Sequence, residues 1–518
     1  MRKDPNPLNR RTFVLGGLAA AAGAVALPGA SSSAPARRGA GIQALRFPFE
    51  LGVASGDPTP DGVVLWTRLA PAPLNTGGHG GMPNADVAVE WQVATDATFG
   101  TGAIVASGTQ IARYAEAHSV HAEPTGLQPG REYFYRFRAD GHLSPVGRTV
   151  TAPAAGSMPA QLRFAFASCQ HFEQGWYHAH SGIAADRPDL VLFLGDYIYE
   201  NTSSGLEDVR GYVLSDEADT LTEYRHRYAQ YRTDPNLQAA HAAAPWLVVF
   251  DDHELENNWN STNQSAARRQ AAFQAFYENM PLRAAQRPVS SSMLLYRRLQ
   301  WGTLARFHLL DTRQYRAPQA LPLSCSVMRD PARTIAGAAQ EQWLLQAFEQ
   351  HPARWDLLGQ QVFFAQRDDD GLRGTCDQST DAWDGYAATR DRIAAGWVQR
   401  GVPNMVVLTG DVHRHWAADL RLDYYNHSSP IIGTELVTTS ITSGGRGGGS
   451  APSAGWLANN PHIKYTQDQR GYVRATLTPD LLTAEFMIVT PSVVASTATT
   501  AMDRRFAVQA GRPGLQPA

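Results

Sequence analysis

The chain has 518 residues, 43% hydrophobic and 18% charged, with a net charge of −3. That length exceeds one small domain and suggests about two to four; the composition excludes a disordered chain. Basic and acidic residues nearly balance, at 45 and 48, so no basic surface for nucleic acid is evident.

The chain begins with an address. Arg10-Arg11-Thr12-Phe13-Val14-Leu15 leads into an alanine- and glycine-rich run to about Ala30. This is the form of a twin-arginine export signal, read by a translocase. Gly16, Gly17, Gly23, Pro28 and Gly29 interrupt the run, which is short for a membrane span. The alternative, an N-terminal membrane anchor, is disfavoured by that length. Residues 1–36 are therefore expected to be signal peptide and leader, with Ala26, Ala30, Ala34 and Ala36 offering cleavage sites. Their removal takes away four basic residues and Asp4, moving the net charge to −6. The expected location is periplasmic or secreted, with the translocase as export partner and no stable membrane anchor. Twin-arginine substrates cross already folded, so a metalloenzyme can be loaded with metal inside the cell.

Residues 45–153 read as short strands separated by turns. Gly62–Arg68, Val87–Val93 and Tyr133–Arg138 run apolar or alternate, and Gly126-Leu127-Gln128-Pro129-Gly130 makes a turn before the last. The pattern predicts an immunoglobulin- or fibronectin-like β-sandwich. From residue 160 to about 510 the pattern changes. Buried-type strands are predicted over 162–168, 189–195, 246–251, 304–311, 355–359 and 405–410, with helices over 217–231, 265–278 and 336–350 between them. This is an α/β layered domain, and strands over 434–442 and 470–490 are expected to complete a second sheet. The glycine-rich segment 443–450 reads as a mobile loop.

Four of these apolar runs stop in chemistry-bearing residues. They end in Ser168-Cys169, Gly195-Asp196-Tyr197-Ile198-Tyr199, Asp251-Asp252-His253-Glu254 and Thr409-Gly410-Asp411-Val412-His413. A buried strand that ends this way delivers ligands to a sheet edge. Asp196, after a glycine that permits a sharp turn, can bridge two cations; read alone it is equally a helix cap. A cation can stabilise the phenolate of Tyr199, which otherwise reads as packing. The adjacent acids Asp251 and Asp252 repel unless a cation or donor lies between them; Asp252 can take a metal. His253 can hydrogen-bond a phosphoryl oxygen or protonate a leaving group. Asp411 and His413 share a face of an extended segment and can address different metals. His415 fits a core or second-layer histidine better than a ligand.

Other residues carry weaker signals. Asn257 and Asn258 can add neutral donors. Arg313 and Arg316 can clamp phosphate or, with Asp311, fix a buried loop. Trp383 and Tyr386 fit a pocket lining or its wall. Of the three cysteines, Cys325 and Cys376 lie in loop-like segments and form a candidate disulfide in an oxidising compartment, leaving Cys169 as ligand or buried thiol.

Taken together these motifs resemble the PhoD-like alkaline phosphatase/phosphodiesterase family, a branch of the metallophosphoesterases related to purple acid phosphatases. Phe49-Glu50-Leu51-Gly52-Val53-Ala54-Ser55-Gly56-Asp57-Pro58 and Val64-Leu65-Trp66-Thr67-Arg68 resemble its N-terminal domain. The four strand-end motifs, with Trp383-Asp384-Gly385-Tyr386, resemble its catalytic domain. The resemblance implies a two-sheet sandwich flanked by helices, packed beside the β-sandwich. It implies a ferric ion held by Cys169, Asp196, Tyr199 and His413, and a calcium held by Asp196, Asp252 and Asp411, with His253 as the catalytic side chain. Thiolate, phenolate and imidazole suit iron, and carboxylate oxygens suit calcium. The expected activity is hydrolysis of phosphate mono- or diesters by activated water. A secreted phospholipase D acting on choline phospholipids is the near alternative. A non-enzymatic calcium-binding β-sandwich protein is the alternative of another class; it predicts ligands scattered in turns and no use for a thiolate.

Overall fold

Strands buried on both faces dominate the centre of the chain, because parallel strands covered on each side must be apolar throughout. Leu162–Ala167, Leu190–Leu194, Pro245–Val249, Trp355–Gly359 and Met405–Thr409 are such strands. In the computed structural model, residues 45–203, 208–214, 216–320, 324–373, 375, 379–449 and 451–518 are described. The expected signal and leader, residues 1–36, and Cys376 lie outside the described residues.

Among the described residues a ten-stranded sheet has a parallel centre formed by Val53–Thr59, Pro245–Val249, Leu190–Leu194 and Leu162–Ala167, flanked by antiparallel strands on both sides. A seven-stranded sheet has a parallel centre of Ala305–Leu309, Trp355–Gly359, Met405–Thr409 and Ile431–Val437. The two sheets pack face to face. Phe164 meets Phe307 edge-on with ring centroids 5.7 Å apart, and one continuous apolar core takes side chains from both. Helices Leu221–Arg232 and Ala266–Asn279 contribute to that core from the outer side, while Ala338–Ala347 and Ala387–Gln399 cover the second sheet. The first of these starts at a capping box, with Thr220 and Glu223 satisfying each other's backbone donors. Among the described residues no helix is long and apolar enough to cross a membrane.

The N-terminal segment forms a sandwich, but not a self-contained one. Val87–Ala94, Ile104–Ala112, Glu132–Ala139, His142–Leu143 and Gly147–Val150 make a five-stranded antiparallel sheet. The facing layer, Val53–Thr59, Gly62–Arg68 and Ser119–Ala122, is the edge of the ten-stranded sheet itself. Ser55 pairs with Pro245, so the segment joins the catalytic sheet by a parallel ladder, and Leu45–Ala518 is one compact unit.

The C-terminal strands also differ from expectation. Ile431–Val437 does join the second sheet, but Gly471–Leu477 pairs antiparallel with Leu162–Ala167 and extends the first. Leu481–Thr490, Thr499–Gln509 and Arg512–Pro517 follow as a meander. Alternation reports which residues face a core, not which sheet they join.

Candidate metal centre

The carboxyl ends of the parallel strands of both sheets meet at one place. Cys169, Asp196 and Asp252 arrive from three strands of the first sheet, and Asp411 and His413 from the second. A parallel bridge between Ser168 and Ser440 stitches the two sheets together here. The backbone is bent to make the convergence possible. Cys169, Asp196, Asp411 and His413 all adopt left-handed φ values, +61°, +56°, +62° and +49°. Non-glycine residues avoid that region, and strain of this kind collects at functional sites. Gly195, at φ +105°, admits no side chain, because a Cβ there would lie 2.4 Å from that of Asp251.

Ligand atoms of Cys169, Asp196 and His413 lie within 4.8 Å of one another, as do those of Asp196, Asp252 and His253. Asp196 belongs to both groups. The Tyr199 hydroxyl donates to Asp196 Oδ2 at 2.9 Å and lies 3.2 Å from His413 Nε2. Thiol, phenol, imidazole and a shared carboxylate therefore face one hollow. Asp411 stands outside both triplets, its Oδ1 3.8 Å from an Arg313 nitrogen.

The electrostatics are unbalanced. Asp196, Asp251, Asp252, Glu254, Asp381 and Asp411 gather around two permanent cations, Arg313 and Arg316. Burial, then Asp252, pushes the Asp196 carboxyl well up. Burial raises Asp251 to about 8 and Asp411 to about 6. Burial and then Asp196 drive both the Cys169 thiol and the Tyr199 phenol well above their ordinary ranges. Asp252 and Asp381 are exceptions: burial would raise both, but Arg313 and His253 hold Asp252 low, and Arg313 and Arg316 hold Asp381 low. Buried Asp251 Oδ2 and Asp252 Oδ1 find no hydrogen-bond donor. Such a cluster lacks positive charge, which one or two cations would supply, and its donors suit them: thiolate, phenolate and imidazole for iron, carboxylates for calcium.

His253 is aimed. Its Nδ1 lies 2.7 Å from Glu200 Oε2, and its ring stacks on Tyr199 at 4.1 Å. Burial alone would lower its pKa, but Asp252, Asp196 and Glu200 outweigh burial and hold it well above the ordinary imidazole range. Glu200, fully buried, also accepts from the Asn257 backbone at 3.0 Å.

Several residues act otherwise than their sequence context suggests. Arg313 is wholly buried and pairs with Asp251, Asp252, Asp381 and Asp411, so it is a structural counter-charge and not a free clamp. Asp311 caps its own turn through the backbone amides of Arg313 and Gln314 and does not pair with either arginine side chain. Asn257 and Asn258 donate from the backbone, Asn258 to Asp252 Oδ2 at 2.7 Å. Trp383 and Tyr386 are core residues: the indole donates to Gln360 and the phenol to the Ala317 carbonyl. His415 is buried, its ring nitrogens occupied by the Thr439 amide and the Met487 carbonyl.

Glu254 is a central residue that no motif isolates. It accepts the amides of Asp196, Tyr197 and Asp251, tying two strand ends into one frame. The glycine-rich segment packs against the site: Ser443 Oγ lies 2.7 Å from the Tyr199 hydroxyl, and Arg470 holds both Gly445 and the His413 carbonyl. Cys325 is disulfide-bonded and Cys169 is free.

A model of the PhoD-like phosphatase family matches residues 164–486, and the model of that family's N-terminal domain matches residues 33–153. The chain belongs to the PhoD-like phosphatase family. By that membership it is an enzyme, a phosphoric ester hydrolase. Alkaline phosphatase D of Bacillus subtilis (strain 168) is 45% identical over 528 aligned residues, covering 99% of this chain and 89% of that protein. A solved structure of PhoD superposes with a TM-score of 0.87 at 46% identity, over 92% of this chain and 93% of its own.

Proposed function

We propose that the chain is an exported, metal-dependent hydrolase of phosphate mono- and diesters that serves phosphate acquisition outside the cytoplasm. The observation that carries the reading is the convergence of Cys169, Asp196, Tyr199, Asp252, His253 and His413 on one anionic hollow. Cys169, Asp196, Tyr199 and His413 would hold a ferric ion; Asp196, Asp252 and Asp411 would hold calcium. When bound, the cations supply positive charge to the phosphoryl oxygens and acidity to a water.

The chain's own residues do the rest. Glu200 fixes His253 through Nδ1, which leaves Nε2 to carry the proton for the departing alkoxide. Asp252, Asp196 and Glu200 raise that imidazole's pKa against the pull of burial. Ser443 and Arg470 restrain Tyr199 and the His413 backbone, so the donors keep their orientation during turnover. Arg313 balances part of the carboxylate charge from behind the site.

The test is hydrolysis of p-nitrophenyl phosphate and bis(p-nitrophenyl) phosphate by the exported chain before and after chelation. Loss on chelation and recovery with iron and calcium are expected. Turnover indifferent to chelation would sink the proposal, as would failure on every mono-, di- and phospholipid ester. Recovery of the full-length precursor only in the cytoplasm would remove export.

A further inference from the structure

A cavity of about 270 Å³ is lined by Arg367, Asp369, Ser379, Trp416 and Trp456. Two of these residues lie close in the chain to residues of the metal centre. Trp416 follows three residues after His413, and Ser379 precedes by two the Asp381 that pairs with Arg313. Resting on the reading of the chain as a phosphoric ester hydrolase, we propose that this cavity binds the alcohol half of the ester, when that half carries a planar heteroaromatic ring with acceptor atoms at its edge, the chemistry of a nucleobase.

The argument is one of unmatched donors beside aromatic faces. Arg367 makes no side-chain hydrogen bond and no ion pair among the described residues; its Nε is sealed from solvent, so a ligand meets the outer nitrogens of the partly exposed guanidinium. Its guanidinium rests on the Phe363 ring at 4.8 Å, which fixes it without neutralising it. A ligand that answers this guanidinium must bring acceptors. Trp416 and Trp456, with ring centroids 5.7 Å apart and planes tilted by 47°, form an aromatic corner. Trp456 is braced there by Asp369, which accepts its indole N–H at 2.6 Å. Aromatic faces favour a flat partner, and edge donors favour ring nitrogens or carbonyls. An aliphatic polyol satisfies the donors but leaves the indoles without a stacking partner.

Ribose 5-phosphate and uridine 5′-monophosphate share one leaving 5′-hydroxyl and differ by the base. The metal-replete full chain is expected to show a kcat/KM for uridine 5′-monophosphate about tenfold above that for ribose 5-phosphate, within the roughly five- to 150-fold that stacking of one base supplies. In Trp456→Ala and in Arg367→Gln the ratio should fall towards one, through KM, and Trp456→Phe should keep most of it. A ratio near one in the unaltered chain overturns the proposal. So does a ratio unchanged in Trp456→Ala, because a general structural defect lowers both substrates alike. Calorimetric binding of uridine 5′-monophosphate reads the subsite without turnover: equal affinity in the unaltered chain and Trp456→Ala also overturns it. Hydrolysis of p-nitrophenyl phosphate in the same preparations reports separately on the hydrolase reading.

Discussion

Two buried charged clusters in this molecule are built from the same kinds of residue and mean different things. At the N-terminal edge of the ten-stranded sheet, Arg225 makes a two-pronged pair with Glu278, at 2.6 and 2.5 Å. Arg68 beside it donates to Ala117, Asn279 and Gly78 at 3.0, 3.1 and 2.6 Å. That cluster is satisfied by protein groups and locks the hairpin strand Gly62–Arg68 to helices Leu221–Arg232 and Ala266–Asn279. At the carboxyl ends of the strands, by contrast, carboxylates exceed cations and two buried oxygens go unanswered. A closed network of buried charges contributes rigidity. An open one, strained at four left-handed residues, has a task that the protein alone does not complete.

The sharpest way to separate the two clusters is to disable each in turn. Asp196→Asn should cut kcat by about 10²–10³-fold or more while leaving the melting temperature within a few degrees, because the amide keeps the shape of the carboxylate. Steady-state kinetics on a folded, metal-treated variant decide it; near-normal turnover would remove Asp196 from the site. Arg225→Ala should do the reverse. Stranding Glu278 inside the protein costs about 3–5 kcal/mol, read as an early thermal transition, with the rate per folded molecule unchanged. A loss of kcat without loss of stability would erase the contrast.

A subtler test lies one layer back. Glu200→Gln keeps a hydrogen-bond acceptor for His253 but removes the charge, so kcat should fall about tenfold with little change in KM. Glu200→Ala should lose more. Equal losses for the two variants would make the carboxylate charge irrelevant.

The smallest effect is a pH drift. Burial pushes Asp251 and Glu254 to about 8. Between pH 6.5 and 8 the unfolded chain has already released those protons, whereas the folded, metal-free chain still holds them. These two carboxyls therefore contribute a loss of stability as pH rises through that window. His253, held high by Asp252, Asp196 and Glu200 against the pull of burial, acts in the same sense. Bound cations should flatten the drift. Thermal melts at both pH values, with and without chelator, isolate this contribution as the difference between the two states; a pH dependence identical with and without chelator contradicts it.

How much of this is legible in the sequence follows from distance along the chain. Strand ends can be read because an apolar run that stops in acid, thiol or imidazole is a local signal, and Cys169, Asp196, Asp252 and His413 are all found that way. Arg313 cannot be read so simply, since its partner Asp251 lies 62 residues away and the adjacent Asp311 is a decoy that caps its own turn. Glu254 hides inside a motif of acids because its work is to accept backbone amides 57 and 58 residues distant. The N-terminal sandwich was legible as strands, but its fusion to the catalytic sheet rests on one parallel ladder between Val53–Thr59 and Pro245–Val249. Alternation in either strand carries no trace of that partner.

Elemental analysis of the purified full chain beside Cys169→Ala, with hydrolysis of p-nitrophenyl phosphate followed in both, tests the two-cation centre most directly. About one iron per active chain is expected, with calcium, and loss of the iron together with activity when the thiol is removed. Full activity in a chain free of both metals, or iron content untouched by Cys169→Ala, would contradict it.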